Sequence, residues 1–407
     1  MNSNFSIKQL VELDACTRCG ECQVACEAFT NIDSRNDRGR EDLVSPSARL
    51  WELRAFLKGK RPGILSRLSG GREFDESRLK DLAAGAYRCT TCARCVERCP
   101  VGIELRSLWL ATREELAAAG YSPEELDVIR QAVADEHNIV GYPNVERASW
   151  VDYMVEAPED GYIRPGALVV YFVGCVSSFS PAVQSIAEAY AQTLDAAGVS
   201  STILGEDEWC CGFPLLAAGM SRAAEEVKRH NIEKIRSSGA KAVTFSCPSC
   251  YKIWRDEYSI HLPGVELIHS TQFLARLIAQ GRLKPGQLDL EVTYHDPCDL
   301  ARNAGVYEAP RRVLTAIPGL RLIEAKHVRK DGHCCGGGGD LEVTDVELAG
   351  RIADGTVRSL LDTGAHSIVS ACQQCKRTLV SSVQRQELEN EVLDIVEVVW
   401  KAVSENG

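Results

Sequence analysis

Cys16, Cys19, Cys22 and Cys26 recur as Cys89, Cys92, Cys95 and Cys99, every member displaced by 73 residues. Farther along, Cys175, Cys210, Cys211, Cys247 and Cys250 recur as Cys298, Cys334, Cys335, Cys372 and Cys375, displaced by 123, 124, 124, 125 and 125. These two duplications absorb all eighteen cysteines of the chain. They constrain the fold more than any other feature, because each copy has to bring its thiols to one place. Loops of two residues let the first three cysteines of the N-terminal runs converge, while the fourth, one helical turn on, points away.

So many thiols can serve a disulfide framework, a redox centre or a metal site. A chain of 407 residues is long enough for about two or three domains with cores of their own, and needs no disulfide staples. Its start, MNSNFSIKQLVELDAC, lacks a charged n-region, a long apolar core and a small-residue cleavage site. That points to a cytoplasmic chain, in which disulfides would be reduced. Zinc ribbons draw their ligands from separated pairs, which triply spaced runs do not supply. The C-x2-C-x2-C-x3-C spacing is that of bacterial-type ferredoxins with cubane 4Fe-4S clusters. The second run ends in Pro100, as that motif expects, and the first has Glu27 in that place. With the fourth cysteine of each run serving the other cluster, one cubane takes Cys16, Cys19, Cys22 and Cys99, and the second takes Cys89, Cys92, Cys95 and Cys26.

The expected class is a multidomain α+β chain: an α-helical two-cluster ferredoxin domain followed by two duplicated small parallel α/β domains. Apolar steps of three and four residues in LWELRAFLKG, FDESRLKDLAAGAY, ELRSLWLATREELAAAG and SPEELDVIRQAVADEHN predict helices, the last opened by Ser122 and Pro123. The helical domain covers 1–138, and 139–165, with three prolines and no sustained period, reads as an ordered linker. Short apolar runs then alternate with helical segments over 166–287 and again over 288–407. ALVVYFVGC, SSTILG, KAVTFSC and GVELIH are the strands of the first repeat, and LEVTYHDPC, LRLIEAK, HSIVSAC and NEVLDI those of the second.

In both repeats cysteines follow strands, at the edge where parallel α/β sheets gather functional groups. Five thiolates from three loops exceed what zinc uses. In an adjacent Cys-Cys pair one sulfur can bridge two irons while the other binds a third. The glycines after each pair, Gly212 and Gly336 to Gly339, let the backbone approach a cluster and turn N–H groups to its sulfurs. A phosphate loop would need a Lys-Ser/Thr ending, which is missing. His295, Asp296 and His333 flank the second set; histidine there is a ligand, a proton donor or a structural hydrogen-bond partner.

The net charge of −11 argues against nucleic acid as a partner. Locally, the basic run Lys58–Leu68 is either a solvated helix face or a docking face for an acidic partner or anionic membrane. Gly166–Val176, the longest apolar stretch, is about half of the ~20 residues a membrane span requires. No G-x-G-x-x-G follows a strand, so no flavin or nicotinamide site is expected and electrons come from another protein.

With these residues in view, the chain resembles the heterodisulfide reductase family with cysteine-rich CCG domains, over about residues 10 to 400. It is most similar to the D-type subunits, in which a two-cluster ferredoxin domain is fused to two CCG domains. WCCGFPLLAAG, HCCGGGGD and HDPCDLAR carry the resemblance most specifically. Other members include the C subunit of anaerobic glycerol-3-phosphate dehydrogenase, the K subunit of the dissimilatory sulfite reductase membrane complex and the D subunit of ATP-independent benzoyl-CoA reductase. The resemblance implies non-cubane 4Fe-4S clusters on Cys175, Cys210, Cys211, Cys247 and Cys250, and on Cys298, Cys334, Cys335, Cys372 and Cys375. That makes four clusters in all, with Cys210, Cys211, Cys334 and Cys335 as catalytic candidates in disulfide reduction between the last two. It further implies an anaerobic complex with a flavoprotein or a membrane cytochrome b, on the cytoplasmic face of the membrane if peripheral. Asp299 stands where many members have histidine, leaving the substrate open. A non-catalytic wire or anchor, linking a flavin dehydrogenase or acyl-CoA reductase to a quinone or other carrier, is the alternative function.

Overall fold

The computed structural model describes residues 5–33, 44–60 and 76–404. The basic run Lys58–Leu68 lies largely outside the described residues. Two compact units emerge: Met1–Asp127 with Pro214–Ser221 and Gly336–Ile352, and Val128–Phe213 with Arg222–Cys335 and Ala353–Gly407.

The first unit is helical. Helix Ile7–Asp14 opens with a capping box in which Ser6 and Gln9 satisfy each other's backbone N–H. Helices Pro46–Lys60, Glu76–Tyr87 and Leu105–Ala118 follow. Leu50, Leu53, Leu105, Leu108 and Trp109 join Phe5 and Leu13 in a buried core, each large side chain contributing about 1.5–3 kcal/mol. The predicted helix after Tyr121 begins at Glu125, not at Ser122–Pro123: those residues form a turn whose Pro123 carbonyl accepts the Leu126 N–H.

The two cysteine runs are wrapped alike. Arg18 and Gly20 have φ of 61° and 82°, and Thr91 and Ala93, 73 residues on, have 54° and 63°. Left-handed residues between the cysteines curl each run around its own centre, and three of these four are not glycine, a strain that backbones hold mainly at functional sites.

The same unit takes in the segments that follow the two Cys-Cys-Gly sequences. Arg113, fully buried, donates to the carbonyls of Ala86, Cys89, Ala217 and Gly339 at 2.7–3.0 Å. A side chain at Gly339 would come within 2.6 Å of the Cys89 carbonyl oxygen, and one at Gly219 within 2.4 Å of the Arg113 backbone. The glycine run therefore serves, at Gly339, a close approach to a ferredoxin-type loop rather than to its own cysteine pair.

The second unit holds two four-stranded parallel sheets. β1 (Val169–Phe172), β2 (Ser201–Thr202), β3 (Ala242–Phe245) and β4 (Glu266–His269) are ordered β2-β1-β3-β4. β5 (Glu291–Tyr294), β6 (Arg321–Leu322), β7 (Ser367–Ser370) and β8 (Glu391–Asp394) repeat that order as β6-β5-β7-β8. The central β1, β3, β5 and β7 are buried almost throughout, which is why they read as continuous apolar runs. Helix Gln184–Ala196, after β1, packs on Ile395–Ser404, after β8, and Ser270–Ala279, after β4, on Glu308–Thr315, after β5. This reciprocal exchange is the mark of a pseudo-twofold between the repeats. Residues 139–165 are built into this unit: a 3-10 helix runs Asn144–Tyr153, and the segment then meets edge strand β2, with Tyr162 accepting from Ile203 N–H and Arg164 N–H donating to Thr202 Oγ1.

Candidate functional site

In the first unit one cavity is lined by Cys16, Cys19, Cys22 and Cys99, and another by Cys26, Cys89, Cys92 and Cys95. Electrostatics tells the same story. Burial, followed by Cys16, Cys19 and Cys99, pushes the Cys22 thiol up to about 11. Cys26 is pushed up to about 12, chiefly by burial and then by Cys89 and Cys92, against a lowering effect of Arg49. Burial and neighbouring thiols both oppose ionisation of these sulfurs, and a bound cation would relieve that opposition.

Glu27, the residue that departs from the ferredoxin pattern, is buried and accepts from Arg94, which sits between Cys92 and Cys95. The pair ties Cys26 to the run with which it shares a cavity, a function that proline could not perform. Arg49 is 2 % exposed, lines the same cavity, and none of its three guanidinium nitrogens has a hydrogen-bond partner among the described residues. A buried, unpartnered cation beside four thiols fits an anionic iron-sulfur cluster. Among the described residues no group of three or more His, Cys, Asp or Glu is arranged for a single metal ion; here the sulfurs ring cavities.

The ten cysteines of the second unit are arranged differently, each set as a relay of touching sulfurs. Cys210 interacts with Cys175 on one side and Cys211 on the other, and Cys250 with Cys211 and Cys247. Contacts with Cys210 and Cys250 lower Cys211 below the usual thiol range. In the second set Cys298 interacts with Cys334, and Cys375 with Cys335 and Cys372. The loops explain the convergence: each set hangs from the carboxyl ends of its strands, after β1 and β3 or after β5 and β7. Gly212, at φ +81°, turns its N–H to Cys210 Sγ at 3.4 Å.

Four contributors, Arg147, Glu208, Gln373 and Ser249, were not legible as site residues. Arg147 donates to Cys175 Sγ at 3.6 Å and to Glu208 at 2.9 Å, while Glu208 accepts the Val173 and Gly174 N–H groups that begin the Cys175 loop. Gln373, between Cys372 and Cys375, is wholly buried and reaches the other repeat: its amide donates to Val173 O and Ser246 Oγ and accepts from Ser177 N–H. Ser249, between Cys247 and Cys250, returns the exchange by donating to Asp299, next to Cys298. The Asp299 carboxylate acts on Cys247, Cys298 and Cys372, and Cys372, whose sulfur accepts from Cys375, is pushed up on balance by burial and by Cys247. The two sets thus share a wall. Position 373 matches Pro248 in the first repeat, so comparing the repeats would have flagged Gln373.

His295 and Asp296 have structural partners. His295 is buried beside Ser370 Oγ at 3.1 Å, and burial lowers it to about 4. Asp296 accepts both guanidinium arms of Arg311. His333 stacks edge-on against His327.

A helical unit with paired four-cysteine cavities and an α/β unit with paired five-cysteine relays define an iron-sulfur electron-transfer protein. A 4Fe-4S dicluster domain model matches residues 12–103, and a cysteine-rich CCG domain model matches 169–253 and 292–380. The D subunit of dihydromethanophenazine:CoB–CoM heterodisulfide reductase from Methanosarcina acetivorans is 34% identical over 98% of this chain and 96% of its own. The counterpart from Methanosarcina mazei gives the same figures. EtfAB:quinone oxidoreductase of Syntrophomonas wolfei is 31% identical over 98% of this chain and 59% of its own. The chain belongs to the family of D-type heterodisulfide reductase subunits and is an iron-sulfur subunit of oxidoreductases of that kind. None of its described helices is long and apolar enough to cross a membrane.

Proposed function

We propose that this chain passes electrons from a redox partner through two cubane clusters to two non-cubane 4Fe-4S clusters, and that a disulfide is reduced between the latter. Cys16, Cys19, Cys22 and Cys99 would hold the first cubane, Cys89, Cys92, Cys95 and Cys26 the second, and the two five-cysteine sets the others. When bound, the clusters supply single electrons and iron able to take sulfur. The residues do the rest. Gln373 and Ser249 hold each set's first-cysteine loop from the opposite repeat, so that both ends of a disulfide meet sites of fixed separation. The reaction is R–S–S–R′ + 2 e⁻ + 2 H⁺ → RSH + R′SH, the electrons coming from a reduced flavoprotein or cytochrome b partner.

The shared wall of Gln373, Ser249 and Asp299 carries this reading, because a pure wire has no need to key two terminal sites together. Anaerobically purified protein should contain about 16 irons per chain and, with a reduced viologen dye, turn over a low-molecular-weight disulfide. Full iron with no disulfide consumption across a panel of thiol-coenzyme disulfides would favour the second reading. That reading, a wire linking a flavoprotein to a quinone, is supported by the likeness to EtfAB:quinone oxidoreductase over 98% of this chain.

A further inference from the structure

The two cavities of the helical unit differ in one respect that their shared cysteine spacing hides. The cavity of Cys16, Cys19, Cys22 and Cys99 is lined by Arg18, which is exposed and sits over Trp51 at 3.0 Å from the ring centre. Cys19 is itself exposed, and Cys16 and Cys99 are half-buried. Two arginines line the cavity of Cys26, Cys89, Cys92 and Cys95: Arg106 is half-buried and donates to the Thr91 carbonyl at 3.0 Å, whereas Arg49 is buried, held against Trp109 at 4.5 Å, and has no hydrogen-bond partner among the described residues. Its charge favours the ionised form of both Cys26 and Cys95. Water screens Arg18, whereas Arg49 acts in a medium of low dielectric.

We propose that Arg49 is the counter-charge of the cubane held by Cys26, Cys89, Cys92 and Cys95, and that it sets the reduction potential of that cubane above that of its neighbour. The proposal rests on the cluster reading given above. Reduction adds one negative charge, and a fixed buried cation stabilises the reduced form more than the oxidised one. An electron delivered by a reduced partner at the exposed Cys19 side therefore leaves the first cubane and settles on the second, so the pair works as an inward step.

The test is an anaerobic redox titration followed by EPR, with iron counted per chain, on the full-length protein, Arg49→Met, Arg49→Lys and Arg18→Met. Arg49→Met should keep its iron and shift one cubane signal toward lower potential by at least tenfold in its one-electron equilibrium constant, ~59 mV. The other signal should stay in place, Arg49→Lys should recover most of the shift, and Arg18→Met should move neither signal comparably. If Arg49→Met instead loses only that cubane while Arg49→Lys keeps it, the counter-charge role is equally supported. Retained iron with both midpoints unmoved in Arg49→Met, or loss of the cubane from Arg49→Lys as well, overturns the proposal. Absence of both cubane signals from the unaltered protein would break the cluster reading itself.

Discussion

The helical unit and the α/β unit both gather thiols, but by opposite means. In the helical unit the sulfurs ring cavities, and the assembly is held by groups outside the ring: left-handed residues at 18, 20, 91 and 93, the Glu27–Arg94 pair, and Arg113 on the Cys89 carbonyl. In the α/β unit the sulfurs hold one another through S–H contacts, with strands delivering them from three loops. A ring survives the loan of its fourth member from a distant run. A relay depends on its central sulfur, which in the first set is Cys211.

The largest effect should come from breaking one arrangement at a time. Cys92→Ser should lose about four irons from the helical unit, and Cys211→Ser about four from the α/β unit, each leaving the other unit's EPR signals in place. Loss of all iron from either variant would mean that the two units do not load independently.

The external supports should come next. Glu27→Ala removes the carboxylate facing Arg94, whose side chain is 10 % exposed, and breaking such a pair costs up to about 3–5 kcal/mol. Thermal unfolding should register the loss, and the Cys26-containing site should be the one that empties. Glu27→Pro restores the ferredoxin motif yet should do as badly, since motif and mechanism diverge here. A Glu27→Pro protein as stable and as fully loaded as the parent would remove the ion pair from the account.

A smaller, crossed effect is expected from the shared wall. Gln373→Leu leaves Val173 O, Ser246 Oγ and Ser177 N–H without that partner, for about 1–3 kcal/mol. Although residue 373 belongs to the second set's loop, the EPR line shape of the Cys175 set should change more than that of the Cys298 set. Ser249→Ala should do the reverse, more weakly. Changes confined to each residue's own set would separate the two sites.

Much of this was legible in the sequence, because ligand spacing is local and repeats declare themselves. All eight strands of the described residues lie in the runs chosen for them, and Cys16, Cys19, Cys22 and Cys99 line one cavity and Cys26, Cys89, Cys92 and Cys95 another. What stayed hidden were the partners of the ligands. Arg147 lies in a stretch whose prolines and lack of period say only that it is irregular, and its bond to Cys175 exists because that stretch folds onto edge strand β2. Arg49 stands just ahead of the run from Leu50 that reads as a helix, and the helix in fact starts earlier, at Pro46. The role of Gly339 was misjudged because a close approach names no partner: the carbonyl it admits belongs to Cys89, far away in the chain.

The weakest contrast between the units is their response to acid. All eight histidines belong to the α/β unit. The clearest case is His269, wholly buried at the end of β4, where Nδ1 accepts the Thr271 N–H and caps helix Ser270–Ala279. Burial lowers it from 6.5 to about 3. Because the folded pKa is depressed, the unfolded chain takes up a proton below about pH 6.5 that the folded chain refuses until about pH 3, so this contribution is whole above 6.5 and is lost as pH falls. Glu208 and Asp394 are raised by burial to about 7 and about 8 and push the other way over the same range, so the parent protein alone gives no clean slope. His269→Asn keeps a capping acceptor and cannot titrate. Its unfolding free energy, relative to the parent, should improve by about 1.4 kcal/mol per pH unit between about pH 6 and pH 4. Parallel stability curves would show that His269 becomes protonated without unfolding, and that the α/β unit admits water at its β4 edge.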